Sequence, residues 1–432
     1  MRSTTGRLAA VDEANLVLDH VGQVNVFLIA GLLAPGGFVG GDGRPDLTAL
    51  RTALGERIAV LPQLRRVPVA AGRRHRWADA TPDLEQHVRL TEPADGRPGL
   101  ERMCGELMTV PLALDRPPWE LLVIPGASTG MVGMVLRIHH AIADGMAAVA
   151  IAHRLFEQEE PDAAPATSPA GRVFPSPPSS SPAVATHRVT GRASTLGRIG
   201  FGLRRILITL VGRGIGPTVL LGDRGPQRGV EFVDADLGAL EARVHPLGAT
   251  VNDALLAAVA AGYVAALPSA GEPLPAELPV SVPVALPRRG ASGNQVGVML
   301  VRLPLGEPDP DERLRLIAAR TGEEKVRARQ QGTLELMRGP LGARVMDRVA
   351  HRQHVVAGFV TNVPGPPGRL RLAGAPVDAI WPVAVLAANV RLGVAAVSYA
   401  GRLRCGIHFD EATVPGALFA RSMREELARL AG

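Results

Sequence analysis

Apolar positions along the chain fall into short unbroken runs and runs at helical spacing. VNVFLIAGLLA (24–34) has the length of a buried strand. LTALRTALGERIAVLP (47–62) has helical spacing and stops at Pro62, and LERMCGELMTVPLAL (100–114) predicts a second amphipathic helix. WELLVIPG (119–126) and MVGMVLRIHH (131–140) predict a hairpin of two buried strands, and the chain that follows predicts a helix from near Gly145 through HRLFEQEE. Further on, ATVNDALLAAVAAGYVAAL (249–267) predicts a strong helix that Thr250 or Asn252 can cap. LPVSVPVAL (278–286) and VGVMLVRLPL (296–305) predict strands, and DERLRLIAARTGEEKVRARQ (311–330) an exposed helix. VVAGFVTNVPGPPG (355–368) predicts a strand broken by a Pro-Gly loop. AANVRLGVAAVSYAGRLRCGIHFD (387–410) predicts two strands around a turn at 399–401, before a closing helix over 417–431.

Between these regions the pattern lapses. Residues 159–190 are dominated by proline, serine and alanine and can bury no core, which marks a linker. The chain then divides into residues 1–158, the linker 159–190, and residues 191–432. A length of 432 residues suits two or three domains of about 150. Strands and helices mix without a βαβ rhythm or an internal repeat, and neither GxGxxG nor a Walker loop occurs. No uninterrupted apolar run reaches about 18 residues, so no spanning helix is expected. The N-terminus lacks a signal-peptide h-region.

Charge narrows the partners. Lys+Arg total 47 against 41 Asp+Glu, and the only lysine is Lys325. Arginine grips phosphate and carboxylate well. Nucleic acid is set aside, because zinc spacing and RNP-like signatures are missing and aromatics make up 3%. Cys104 and Cys405 lie far apart in segments that read as core, which suits a reduced, cytoplasmic protein. TLGRIGFGLRRILITLVGR (195–213) has the basic amphipathic character of a membrane-surface helix. It equally suits a helix packed between domains, and Gly197, Gly200 and Gly202 weaken its helical reading.

RIHHAIADGMA (137–147) carries the candidate chemistry. A buried strand delivers two histidines at its end, where adjacent side chains point opposite ways. One imidazole can face a cleft as a general base while the other packs into the structure. Adjacent histidines chelate a single metal poorly, and no HxxxH lies nearby, so no metal is expected. Asp144 is too close in sequence to be assumed a triad carboxylate.

HHxxxDG, here His139 to Gly145, is the signature of the CoA-dependent acyltransferases, among them chloramphenicol acetyltransferase, plant acyltransferases and condensation domains. LDRPPWE (114–120), PQLRRVPV with RWADATPDLEQHVRL (62–90), TVNDALLAA (250–258), GNQVGVMLVRLPL (293–305) and TNVPGPPGRLRLAGAPV (361–377) resemble, in order, blocks of the bacterial wax ester synthase/acyl-CoA:diacylglycerol acyltransferase family. The likeness runs from about residue 8 to the C-terminus. Three departures stand out: PPW replaces PLW, Thr361 stands where serine is usual, and Asn25 stands where a histidine is common. These bear on the acceptor more than on the chemistry.

The resemblance implies an α/β protein of mixed sheets, with two chloramphenicol-acetyltransferase-like domains and an active-site tunnel between them. It implies His140 as general base, His139 and Asp144 as its supports, and Gly145 as the glycine of the turn. Asn252 is similar to an asparagine needed for activity, either as an oxyanion donor or as a plain helix cap. Asp253, Trp119, Asn362, Pro364 and Gly365 fall on the family's substrate-binding or structural motifs. Acyl-CoA is then a co-substrate, with no permanently bound cofactor. The acceptor is a fatty alcohol or diacylglycerol, reached at a peripheral membrane or lipid-droplet surface. A different alcohol, such as a glycolipid or secondary metabolite, or a lipid-binding protein with dead chemistry, are the alternatives.

Overall fold

The computed structural model describes residues 8, 10–19, 24–72, 74–143, 151–158, 214–285, 296–331, 350–366 and 368–432. Asp144, Gly145, the 159–190 linker and the 195–213 segment lie outside the described residues.

Two mixed sheets carry the architecture. The first has the order β4 (Val88–Leu90), β5 (Trp119–Ser128), β6 (Met131–His139), β1 (Val26–Leu33), β13 (Ala375–Val383), β12 (Leu370–Leu372) and β7 (Glu157–Gln158). The second runs β10 (Val296–Leu303), β9 (Leu278–Ala285), β11 (Gly358–Val363), β14 (Leu392–Tyr399), β15 (Arg402–Asp410) and β8 (Arg228–Asp236). A separate hairpin pairs β2 (Arg66–Ala71) with β3 (Arg74–Asp79).

The apolar run of β1 is explained by its place. It lies between β6 and β13, antiparallel to both, and all but one of its residues are buried. β12 and β13 come from the C-terminal half, so a division of the chain at the linker is not the division between the sheets. The helix expected through HRLFEQEE also ends early, because Glu157 and Gln158 pair with β12 as β7.

Besides the helical residues 151–155, the helices are α1 (Ala10–Val17), α2 (Leu47–Ala59), α3 (Leu84–His87), α4 (Gly96–Leu107), α5 (Leu237–Val244), α6 (Val251–Ser269), α7 (Pro310–Gln331) and α8 (Gly416–Ala431). α4 starts and stops earlier than its apolar spacing suggests. Arg137 donates to the carbonyls of Leu107 (2.8 Å) and Val110, which satisfies acceptors at and just beyond the helix end. α6 is long and apolar enough to cross a membrane by length and composition, contrary to the expectation that no segment qualifies. Here it is the axis of the second core, with Leu255 to Ala260 wholly buried. Asn252 and Asp253 at its start break the apolar run that the sequence criterion counts.

A third apolar layer joins the sheets. Leu28, Ala30 and Val135 of the first sheet pack with Leu100 and Cys104 of α4, Phe232 of β8 and Trp381 of β13. At this junction Gly406 of β15 lies against the Pro382 carbonyl of β13, where a Cβ would overlap backbone. Tyr399, at the end of β14, accepts from the Leu370 amide (2.9 Å) and donates to the Val377 carbonyl (2.8 Å), tying down the crossing strands.

His408 closes the same junction, donating from Nδ1 to the Ala384 carbonyl (2.8 Å). Burial of the ring holds its pKa down to about 3; the Ala384 carbonyl opposes this, while Arg228 and Arg224 reinforce it. A base depressed in the folded state contributes stability above its unfolded value, near 6.5, that is lost as pH falls toward 3. Urea unfolding should therefore show the wild type losing about 2–3 kcal/mol more than His408→Leu between about pH 7 and pH 4.5. Parallel losses in the two proteins would refute the assignment.

Candidate active site

The histidine pair sits where β6 ends. His139 is in register with Val26 of β1, and its amide donates to the Pro118 carbonyl (3.1 Å). Its ring is fully buried. The Ala141 amide donates to His139 Nδ1 at 3.0 Å, so in the neutral ring the proton resides on Nε2. Nε2 lies 3.4 Å from Asp19 Oδ2 but is not aligned as a hydrogen bond. The Asp19 carboxylate is fixed in turn by the Asn25 amide, at 2.8 Å to Oδ1.

His140 is less enclosed and turns elsewhere. Its amide donates to the Asn25 carbonyl (2.9 Å), and its carbonyl accepts from Asn15 Nδ2 (3.4 Å). The Asn25 side chain donates to the Asn15 carbonyl (3.0 Å). The His140 ring meets Phe27 edge-on, with centroids 5.3 Å apart. The two histidines are therefore inequivalent: one is locked in tautomer and position, and the other is held by its backbone with its ring half-buried.

This support comes from residues that the motif does not contain. Asn15 lies on α1 and Asp19 just beyond it; Glu13, on the same helix, takes the His75 amide (3.0 Å) and ring Nδ1 (2.9 Å) and so anchors α1 to the β2–β3 hairpin. Asn25 stands among these contacts, so that departure from the family block touches the pair directly. Asp144, expected to support the pair, lies outside the described residues; among those described, the buried carboxylate beside His139 is Asp19.

The remaining candidates separate. Trp119 is core: its indole donates to the Leu64 carbonyl (2.9 Å) and its ring packs on His87. Thr250, not Asn252, caps α6, with Asp253 completing a capping box. Asp253 is buried and also accepts from the Thr321 hydroxyl (2.6 Å), so it ties α6 to α7. Asn252 is half-buried on the first turn, with its amide unpartnered among the described residues. Asn362 is the next-to-last residue of β11, beside Ala396 of the parallel β14. Pro364 and Gly365 begin the crossing to the first sheet, and a Cβ at Gly365 would overlap the Ser398 carbonyl. No cluster of His, Cys, Asp and Glu able to hold a metal ion occurs among the described residues. Cys104 and Cys405 are both fully buried, and burial pushes their thiols well above the usual range, so neither supplies a thiolate nucleophile.

Two sheets meeting through a shared apolar layer, with a histidine pair at a strand end, define the architecture of the CoA-dependent acyltransferases. The wax ester synthase/diacylglycerol acyltransferase catalytic domain matches residues 8–255, and the C-terminal domain of the same family matches residues 292–431. The chain belongs to this family. A Mycobacterium tuberculosis relative named as a diacylglycerol O-acyltransferase is 31% identical over 365 residues, covering 77% of this chain and 75% of its own. The fold is similar to that of the wax ester synthase/diacylglycerol acyltransferase from Marinobacter aquaeolei VT8, with a TM-score of 0.72, 20% identity and 98% of each chain covered. It also resembles a starter condensation domain of rhizomide synthetase in complex with C8-CoA, with a TM-score of 0.57, 16% identity, and 99% and 94% covered.

Proposed function

We propose that the protein transfers a long-chain acyl group from acyl-CoA to the hydroxyl of a fatty alcohol or diacylglycerol, with His140 as general base. The observation that carries this reading is the asymmetry of the pair. His139 is fully buried against Asp19 and the Ala141 amide, whereas the neighbouring His140 is only half-buried. His140 takes the proton as the hydroxyl oxygen attacks the thioester carbonyl. The negative charge of the tetrahedral intermediate needs a donor, and the Asn252 side-chain amide is the candidate. The C–S bond then breaks, and His140 returns its proton to the departing CoA thiolate. Each group returns to its starting state, and no acyl-enzyme forms.

The same proposal places the protein in the cytoplasm, in peripheral contact with a membrane face or lipid droplet through the basic 195–213 segment. It treats residues 1–158 and 191–432 as two acyltransferase domains. Palmitoyl-CoA offered with hexadecanol or dipalmitoylglycerol tests the acceptor class by formation of wax ester or triacylglycerol. Turnover of a glycolipid or other alcohol, with neither of these acylated, would replace it.

A further inference from the structure

On the face of the first sheet that turns toward α4, three charged side chains lie side by side. Arg89 of β4 donates to Glu120 Oε2 of β5 (2.7 Å), and Arg137 of β6 donates to Glu120 Oε1. Glu120 is nearly buried; burial alone would raise its carboxyl, but Arg137 and Arg89 outweigh this and hold it below the usual range. It therefore stays ionised and neutralises one arginine, with both oxygens occupied.

Beside this row lies a cavity of about 240 Å³ whose lining includes Gln86, Arg89, Val110, Arg116, Pro117 and Arg137. Its charged lining is three arginines against Glu120, a surplus of two positive charges. Arg116, exposed at the mouth, is bound to Gln86 Oε1 through one nitrogen, which leaves the rest of its fork available. Arg137 is 2% exposed, and its Nε is buried and unpartnered among the described residues. A buried donor without a partner carries a cost of about 1–3 kcal/mol.

We infer that this cavity is an anion site for a phosphate monoester. Such a group carries about −1.5 to −2 near neutral pH, which matches the surplus, and arginine forks fit phosphate oxygens. The volume lies below the roughly 300–1,000 Å³ of sites for drug-sized ligands, so the cavity takes a head group and not an acyl chain. The site also borders the catalytic strand. Arg137 and His139 are two residues apart on one strand face, roughly 7 Å along β6, and Pro117 in the cavity wall adjoins Pro118, whose carbonyl holds the His139 amide.

The phosphate has two possible sources, a free or metabolite phosphate and the 3′-phosphate of CoA; only the second rests on the acyl-transfer reading. Calorimetric titration of the full chain with inorganic phosphate, without acyl-CoA, tests the site itself. Wild type should bind saturably, and Arg116→Gln should bind about tenfold more weakly with an unchanged melting temperature. No saturable binding, or equal binding by the variant, overturns the proposal whatever the protein acylates. Titration with CoA and 3′-dephospho-CoA then assigns the source. A preference for CoA that Arg116→Gln abolishes gives the site to the co-substrate, and equal affinity gives it to a separate phosphate ligand.

Discussion

Replacing His140 with alanine is expected to lower kcat/KM for acyl transfer by about 10²- to 10⁴-fold, the range typical of a positioned general base. The ring makes one described ring contact, with Phe27, while its backbone is held by Asn25 and Asn15. Alanine keeps both backbone contacts, so the loss should fall on kcat, with a melting curve of the variant as the check that it folds. A loss in KM for acyl-CoA alone would mean that His140 binds substrate without moving a proton. Unchanged turnover would refute the general-base assignment. The experiment is clean at His140 and would not be at His139. Removing that ring leaves Asp19 and the Ala141 amide facing a buried void, so folding and chemistry would fail together.

How much of this was legible in the sequence depends on the range of the interaction. The β5–β6 hairpin, α6, α7, the β14–β15 pair and the closing helix follow from periodicity and local turns, and the structure contains them all. β13 does not read as a strand, because Pro376 and Pro382 interrupt it. Its pairing with β1, more than 340 residues earlier, depends on partners that no local pattern reveals. The β2–β3 hairpin is amphipathic only weakly and is held by the Glu13–His75 contact to α1 and by Arg66 over Trp77. At the site, the histidine pair and its inequivalence were readable from the strand end. Asp19 was not: it follows a short helix, 120 residues from His139, and nothing near it in sequence marks it as a partner. Asn25 was visible only as a departure from a family block; its contact with the pair required the fold.

The largest expected effect on stability belongs to Arg137, which the sequence places only as the residue two before the pair. Arg137→Met should destabilise the protein by about 3–5 kcal/mol in urea unfolding near neutral pH, because it strands a buried, ionised Glu120 with Arg89 as its one remaining cation. Arg89 is half-exposed, so it compensates poorly. The same change removes the donor to the Leu107 and Val110 carbonyls and frees the end of α4. The two contributions can be separated. Adding Glu120→Met to Arg137→Met removes the stranded charge and leaves the uncapped carbonyls, so it should recover most of the loss. Acid supplies an independent check with a definite sign. Glu120 is depressed in the folded state, so its stabilisation is present above the unfolded carboxyl pKa, about 4.3, and fades below it. The gap between wild type and Arg137→Met should therefore narrow as pH falls through that value. A single-variant loss under about 1 kcal/mol, or a gap that does not narrow with acid, would show that the pair is not what holds this edge of the sheet.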